Sequence, residues 1–320
     1  MCATYLGIDI GGTAVKLGLV DATGSVLERM EQSVSYDRYK TPILDTVLKT
    51  AKEFTAGRRE TLAGIGVSAT GQIDSTRGVV AGTCGNLPGW KGTPIRERLQ
   101  KEFGLPVSVA NDANCMCLGE AWVGAAQGYT DVIGITIGTG LGGGIMTGGH
   151  LLEGVRGLGG ELGHYRTHAV DGRPCTCGAK GCWEQYASTT ALVRAARQVD
   201  DRLCDGRAVF KAVEAGDAKA QGLLACWIEE IAEGLAGLVH IFNPQVVLVG
   251  GGVSAQQELL IAPLERHLKA RIMPAFADGL RVEAAALGND AGLVGAVFYL
   301  LEQLCPGGPE LPVKRNGRHR

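Results

Sequence analysis

Apolar residues in the first third of the chain fall into short runs separated by turns. TYLGIDIGG, TAVKLGLVD and SVLERMEQSV read as three short strands, with turn signals at Gly11-Gly12 and Thr23-Gly24. The spacing then changes. Ile43, Leu44, Val47, Leu48, Ala51 and Phe54 recur at helical intervals and predict a helix from Thr41 to about Thr55. LAGIGVSA (62–69) predicts a buried strand. A loop rich in Gly and Thr is expected up to Trp90, then a helix opening at Thr93-Pro94 and running to about Phe103. VSVA (107–110) is a further short strand, and NDANCMCLGEAWVGAA begins a helix capped by Asn111 or Asp112.

The remainder repeats these themes on a larger scale. DVIGITIG (131–138) is a strand that opens onto GTGLGGG (138–144), and GIMTGG alternates before a hairpin turn at Gly148-Gly149. Leu224, Trp227, Ile228, Ile231, Leu235, Leu238 and Phe242 mark a long buried helix over 223–242. VVLVGGGVS (246–254) predicts a strand, a glycine turn and a helix. RVEAAAL (281–287) is a last strand and 290–304 an apolar helix, with a loose basic tail beyond. The order β-β-β-α-β-α-β-α, followed by a larger α/β half, predicts two α/β domains.

Composition narrows the possible functions. The 320 residues are 45% hydrophobic and 20% charged, as in ordinary globular chains. A formal net charge of −2 offers no electrostatic footprint for nucleic acid. No apolar run approaches the length of a membrane span, and MCATYLGIDIGGT lacks the pattern of a signal peptide. A cytoplasmic location is expected, where structural disulfides are rare. Seven of the ten cysteines (Cys2, Cys84, Cys115, Cys117, Cys204, Cys226, Cys305) are scattered, and most of these are expected to be buried small apolar residues.

Glycine is high, 49 of 320, and part of the excess is clustered in three loops. In DIGGT (9–13), a strand brings Asp9 to its end, Gly11-Gly12 turns the backbone, and Thr13 adds a hydroxyl. Such a turn is either a plain hairpin or an anion-binding nest. GTGLGGG contains a G-x-G-x-x-G match, but a strand follows it where a dinucleotide fingerprint needs a helix. A second phosphate-cradling hairpin fits better. GGGVS (250–254) either seats a flat ligand on Gly250, Gly251 and Gly252 or simply joins strand to helix. Asp112, at a strand–helix junction, is either an N-cap or the carboxylate that phosphoryl transfer to an alcohol needs as base; Asp9 is the expected partner on the metal–phosphate side.

One cluster points to a metal. PCTCGAKGCWEQY carries Cys175, Cys177 and Cys182, and His164 in GGELGH lies eleven positions before Cys175. Four N/S ligands suit a closed, structural zinc site, with reduced thiols or a redox pair as the alternatives. Glu161 and His164, three apart, would share one face of a helical turn.

DIGGT, NDAN, GTGLGGG, GELGH, CTCGAKGC and GGGVS, in this order and spacing, resemble the ROK family (repressors, open reading frames, sugar kinases) over about residues 5–303. The resemblance implies the two-domain actin/hexokinase-like (ribonuclease H-like) ATPase fold, with ATP and sugar bound in a cleft between domains. The small domain is expected over 1–111 with the C-terminal helix 290–304. The large one is expected over 112–289, with a zinc loop at 164–182, and 305–320 is expected to be a flexible tail. Asp9, Gly11, Gly12 and Thr13 would serve the ATP phosphates and Mg2+, Gly138, Thr139 and Gly140 the phosphates from the other domain, and Gly250–Gly252 the adenosine.

In the same resemblance Asp112 is the base toward the sugar hydroxyl. Asn111, Asp112, Glu161, His164 and Glu184 would contact the sugar, with Asn86 and the loop around Gly71 closing the site. His164, Cys175, Cys177 and Cys182 would hold structural Zn2+. The implied activity is an ATP-dependent hexose kinase, most readily a glucokinase, in a homodimer. SATGQID (68–74) stands where glucokinases of the family often carry Ala-Pro-Gly, so N-acetylmannosamine, N-acetylglucosamine, fructose and allose stay open as substrates. Family repressors carry an N-terminal helix-turn-helix domain, whereas this sequence starts on its first strand; a sugar-responsive regulator is therefore the lesser expectation.

Overall fold

The computed structural model describes residues 3–83, 87–304 and 311. The strands and helices of the first part are β1 (Thr4–Ile10), β2 (Ala14–Asp21), β3 (Val26–Ser33), α1 (Ile43–Phe54), β4 (Leu62–Ala69), β5 (Gln72–Asp74), β6 (Val79–Gly82), α2 (Ile95–Phe103), β7 (Val107–Asn111) and α3 (Asp112–Val123). Then come β8 (Val132–Ile137), β9 (Leu141–Thr147), β10 (His150–Leu151), α4 (Glu184–Ala187), α5 (Thr189–Arg197), α6 (Gly206–Glu214) and α7 (Ala218–Phe242). β11 (Val246–Gly250), α8 (Ala262–Lys269), α9 (Pro274–Ala277), β12 (Arg281–Ala284) and α10 (Ala291–Leu304) complete the set.

The first sheet runs β3-β2-β1-β4-β7. β1 pairs antiparallel with β2 and parallel with β4, and β4 parallel with β7, so Asp9, Ser68 and Ala110 lie in adjacent register. Leu6, Ile8 and Ile10 are fully buried, and so are Val15 and Leu17 across from them. The second sheet runs β10-β9-β8-β11-β12, with β11 parallel to both β8 and β12. The segment expected as a loop up to Trp90 instead carries the β5–β6 ribbon, whose strands are only three and four residues long.

The chain divides into two compact units: residues 1–130, 144–160 and 286–320, and residues 131–143 with 161–285. This differs from the expected division at 111/112, because α3 packs on α10. Their backbones touch through glycines: a Cβ on Gly295 would collide with the Cys115 carbonyl, and one on Gly119 would come within 2.6 Å of the Ala291 carbonyl. That contact holds α3 in the first unit.

Three other expectations shift. The long helix α7 starts at Ala218, because the Asp217 carboxylate caps the Lys219 and Ala220 N–H groups at 2.8 and 3.0 Å. The last strand ends at Ala284. No helix follows GGGVS at once: Gly251 adopts φ +88°, the chain turns on through Ala255, and a wide helical turn at Gln257–Ile261 precedes α8. Among the described residues no helix is long and apolar enough to cross a membrane.

Candidate active site

In the first unit, hairpin β1–β2 and the β7–α3 junction build an acidic pair. The turn after β1 is closed by the Gly11 N–H donating to the Ala14 carbonyl at 2.9 Å, so that N–H is already committed. Asp9 stands at the end of β1 and accepts a hydrogen bond from Ser68 Oγ at 2.6 Å. Burial raises its pKa, while the Ser68 hydroxyl and the Lys16 ammonium oppose that rise. Room for the carboxylate comes from Gly292 in α10, where a Cβ would lie 2.7 Å from Asp9 Cγ.

Asp112 opens α3, and its Oδ1 accepts the Ala113 N–H at 2.9 Å. Burial pushes its pKa up to about 6, and the Asp9 carboxylate adds repulsion. A carboxylate near 6 is ionised at neutral pH yet basic enough to take a proton. The cap of α3 is Asn111, whose Oδ1 accepts from Ala113 and Asn114 N–H at 2.9 and 3.3 Å. Its Nδ2 donates to the Gly71 carbonyl at 2.9 Å. Asn111 thus ties the strand-end loop to α3, and Gly71 sits at φ +101°, a conformation that favours glycine. Asn86, expected over this site, lies outside the described residues, as do Cys2, Cys84 and Cys305.

In the second unit, the glycine loop between β8 and β9 faces a cavity of about 880 Å³. Gly138, Thr139 and Gly252 line it together with Thr190, Arg194 and Phe210. Two of the three expected glycine loops therefore meet at one hollow; Gly250 itself stays buried at the end of β11. Gly251 packs so tightly on the Ile137 carbonyl that a Cβ would collide. One wall, α5 and α6, was not foreseen in the sequence. Its local signals were present: Ser188 Oγ caps Ala191 N–H at 3.2 Å, and Asp205 caps Ala208 N–H at 2.8 Å. Cys204, in this wall, and Cys226 are exposed, unlike the buried Cys115 and Cys117. A short segment without apolar periodicity holds the first, and the polar face of α7 the second.

The same unit gathers the N/S cluster. His164 ends a one-turn 3-10 helix (Leu162–His164) that Glu161 precedes, its carbonyl accepting the His164 N–H at 3.1 Å. One ligand atom each from His164, Cys175, Cys177 and Cys182 lie within 4.8 Å of one another. His164 Nδ1 is 3.6 Å from Cys175 Sγ, and Cys177 Sγ 3.6 Å from Cys182 Sγ. Glu184 lies beside this cluster, with Oε1 3.9 Å from Cys175 Sγ. Its Oε2 accepts the Leu141 N–H at 3.1 Å. The seven described cysteines are all free of disulfides.

Comparison with known proteins agrees with this layout. The chain is 34% identical to a glucokinase of Thermotoga maritima over 93% of this chain and 98% of that one. It is 33% identical to a beta-glucoside kinase of Listeria monocytogenes, over 92% and 96%. Among solved structures, a ROK family glucokinase of Streptomyces griseus in complex with glucose and AMPPNP superposes with a TM-score of 0.77, at 34% identity, covering 96% of this chain and all of that one. The fold is therefore the two-domain actin/hexokinase-like one. Residues 5–303 match the ROK family as a whole, and the chain belongs to it.

Proposed function

We propose that the protein is an ATP-dependent hexose kinase that phosphorylates the 6-hydroxyl of glucose, with Asp112 as the base. The observation that carries this reading is the Asp112 carboxyl held at about 6 by burial and by Asp9. The sugar hydroxyl gives its proton to Asp112 as its oxygen attacks the γ-phosphorus, and the bond to the leaving ADP oxygen breaks in line. Asp9, Gly12 and Thr13 would serve the phosphates and their Mg2+; the bound ion supplies charge neutralisation. Gly138, Thr139 and Gly140 would cradle the phosphates, and the cavity beside Gly252 would take the adenosine. Relatives named glucokinase and the glucose–AMPPNP complex support glucose and ATP as substrates.

The N/S cluster fits zinc. With Zn–S near 2.3 Å and Zn–N near 2.05 Å, a tetrahedron has S···S edges of about 3.8 Å and S···N edges of about 3.6 Å. The cluster offers 3.6 Å for both. Its four donors leave no open position, so the metal would be structural, with His164 Nδ1 turned to it and Nε2 serving a sugar hydroxyl. Glu161, Asn111 and Glu184 are the other proposed sugar contacts, in a homodimeric enzyme of the cytoplasm; light scattering checks the dimer.

A coupled ADP-release assay over glucose, fructose, allose, mannose, N-acetylglucosamine, N-acetylmannosamine and a β-glucoside tests the assignment. Glucose is expected to give the highest kcat/KM. A flat response across the panel with ATP and Mg2+ present would defeat the kinase reading. A β-glucoside or N-acetylhexosamine in first place would move the substrate and keep the chemistry.

A further inference from the structure

The metal cluster and the phosphate loop touch the same short piece of chain. Leu141, the last residue of the turn and the first of β9, is held from two sides. Its N–H donates to Glu184 Oε2 at 3.1 Å, two residues past Cys182. Its carbonyl packs on Gly163, next to His164, so closely that a Cβ there would collide. A Cβ on Gly140 would in turn collide with Glu184 Oε2. The chain after Glu184 continues the grip. The Thr189 N–H donates to the Gly138 carbonyl at 2.9 Å, and Thr190 Oγ1 to the Thr139 carbonyl at 2.7 Å. The Gln185 carbonyl accepts from Arg173, in the metal loop, at 3.1 Å and from Arg194, in the cavity wall.

We propose that Glu184 and Thr190 are positioning residues for the phosphoryl-donor loop Gly138–Leu141, and that through them the His/Cys cluster sets the affinity for the nucleotide as well as for the sugar. This rests on reading the loop as the phosphate cradle. Two carbonyls and one N–H of a glycine-rich turn are hydrogen-bonded by a segment that starts at the cluster, and a third carbonyl packs on Gly163. Ordering a loop before its ligand arrives removes that cost from binding. A cluster without metal leaves residues 164–184 less constrained, and the loop then carries the ordering cost when nucleotide binds.

The test measures binding of AMPPNP with Mg2+, and separately of glucose, by calorimetry on the full chain. Thr190→Val removes one hydroxyl and little volume. It is expected to weaken AMPPNP about three- to tenfold, with Thr190→Ser within about twofold of wild type and glucose binding unchanged in both. Stripping the metal with a chelator, with the fold checked by circular dichroism, is expected to weaken AMPPNP about fivefold or more, and Thr190→Val should then add less than it does in loaded protein. AMPPNP binding that ignores both changes, while glucose binding alone falls on metal loss, would overturn the inference and leave the kinase assignment standing. Failure of the wild-type protein to bind AMPPNP at all would instead remove the kinase reading, and this inference with it.

Discussion

The two glycine turns at strand ends, DIGGT and GTGLGGG, look alike in sequence and differ in where their support comes from. Each closes on itself, Gly11 N–H on the Ala14 carbonyl and Gly138 N–H on the Gly140 carbonyl. The first is also held by chain that follows it closely: the Val34 N–H donates to the Thr13 carbonyl at 2.9 Å and the Tyr39 hydroxyl to the Gly12 carbonyl at 2.8 Å. It carries an acid, Asp9, which burial and Ser68 pull in opposite directions. The second turn has no acid of its own. Its outside support is Glu184, Thr189 and Thr190, 43 to 51 residues along the chain and directly after the His/Cys cluster. One turn brings a carboxylate; the other is neutral and depends on the chain beside the cluster. Substitutions at the first turn should therefore act on metal chemistry, and those at the second turn on nucleotide affinity.

The largest effect expected is that of Asp112→Asn. Loss of a general base typically costs about 10²–10⁴ in rate, and kcat should fall by that order while glucose binding changes little. Turnover of the wild type should rise through a pH near the carboxyl's value of about 6 and level off above it. Stability gives an independent check. The folded carboxyl keeps its proton up to about 6, against 3.8 in the unfolded chain, so ionising it costs stability as pH rises through that window. The Asn variant is spared that cost. Its Tm should exceed wild type by several degrees near pH 8, and the gain should fade below about pH 4. A variant with near wild-type kcat would dissolve the division of labour between the turns.

Next in size is Gly140→Ala. Gly140 has no left-handed φ, so only the collision with Glu184 Oε2 opposes a side chain there. Pushing Glu184 off the Leu141 N–H should weaken AMPPNP about tenfold. Gly138→Ala is the matched control for folding, since nothing lies within 4 Å of its Cβ position; its Tm should equal wild type. Wild-type AMPPNP affinity in Gly140→Ala would mean that Glu184 does not position this turn.

Much of this was legible in the sequence because strands, glycine turns and capping residues are local signals. The cluster was legible for a different reason: His and Cys at metal-binding spacing have few other uses. The sequence reading did not reveal the outside support, because Thr190 meets Thr139 across 51 residues and neither is unusual in type. The structural role of a neighbouring acid was not visible either. Glu120 lies in the same helix as Asp112 and is fully buried, yet its oxygens accept the Ala125 and Leu287 N–H groups at 2.7 Å each, a structural role. Which unit α3 joins was likewise hidden, since Gly119 and Gly295 reveal their purpose only when the helices touch.

The smallest effect expected is that of Ser68→Ala, and it isolates Asp9. A hydrogen bond donated to a carboxylate favours its charged form. Losing the 2.6 Å bond from Ser68 Oγ should therefore raise the Asp9 pKa. Burial already raises it, so the two shifts act in the same direction. More Asp9 is then neutral as pH falls, and a neutral carboxyl would hold Mg2+ less well. The Mg2+ concentration for half-maximal rate should rise about two- to fivefold at the acid end of the working pH range and return toward the wild-type value at the alkaline end. Nucleotide affinity measured without Mg2+ should not change, because the hydroxyl of Ser68, on β4, is expected to act through Asp9 and its metal. An equal Mg2+ response at both pH values would mean that Asp9 does not titrate in this range, and that the charge of the first turn is fixed by the metal alone.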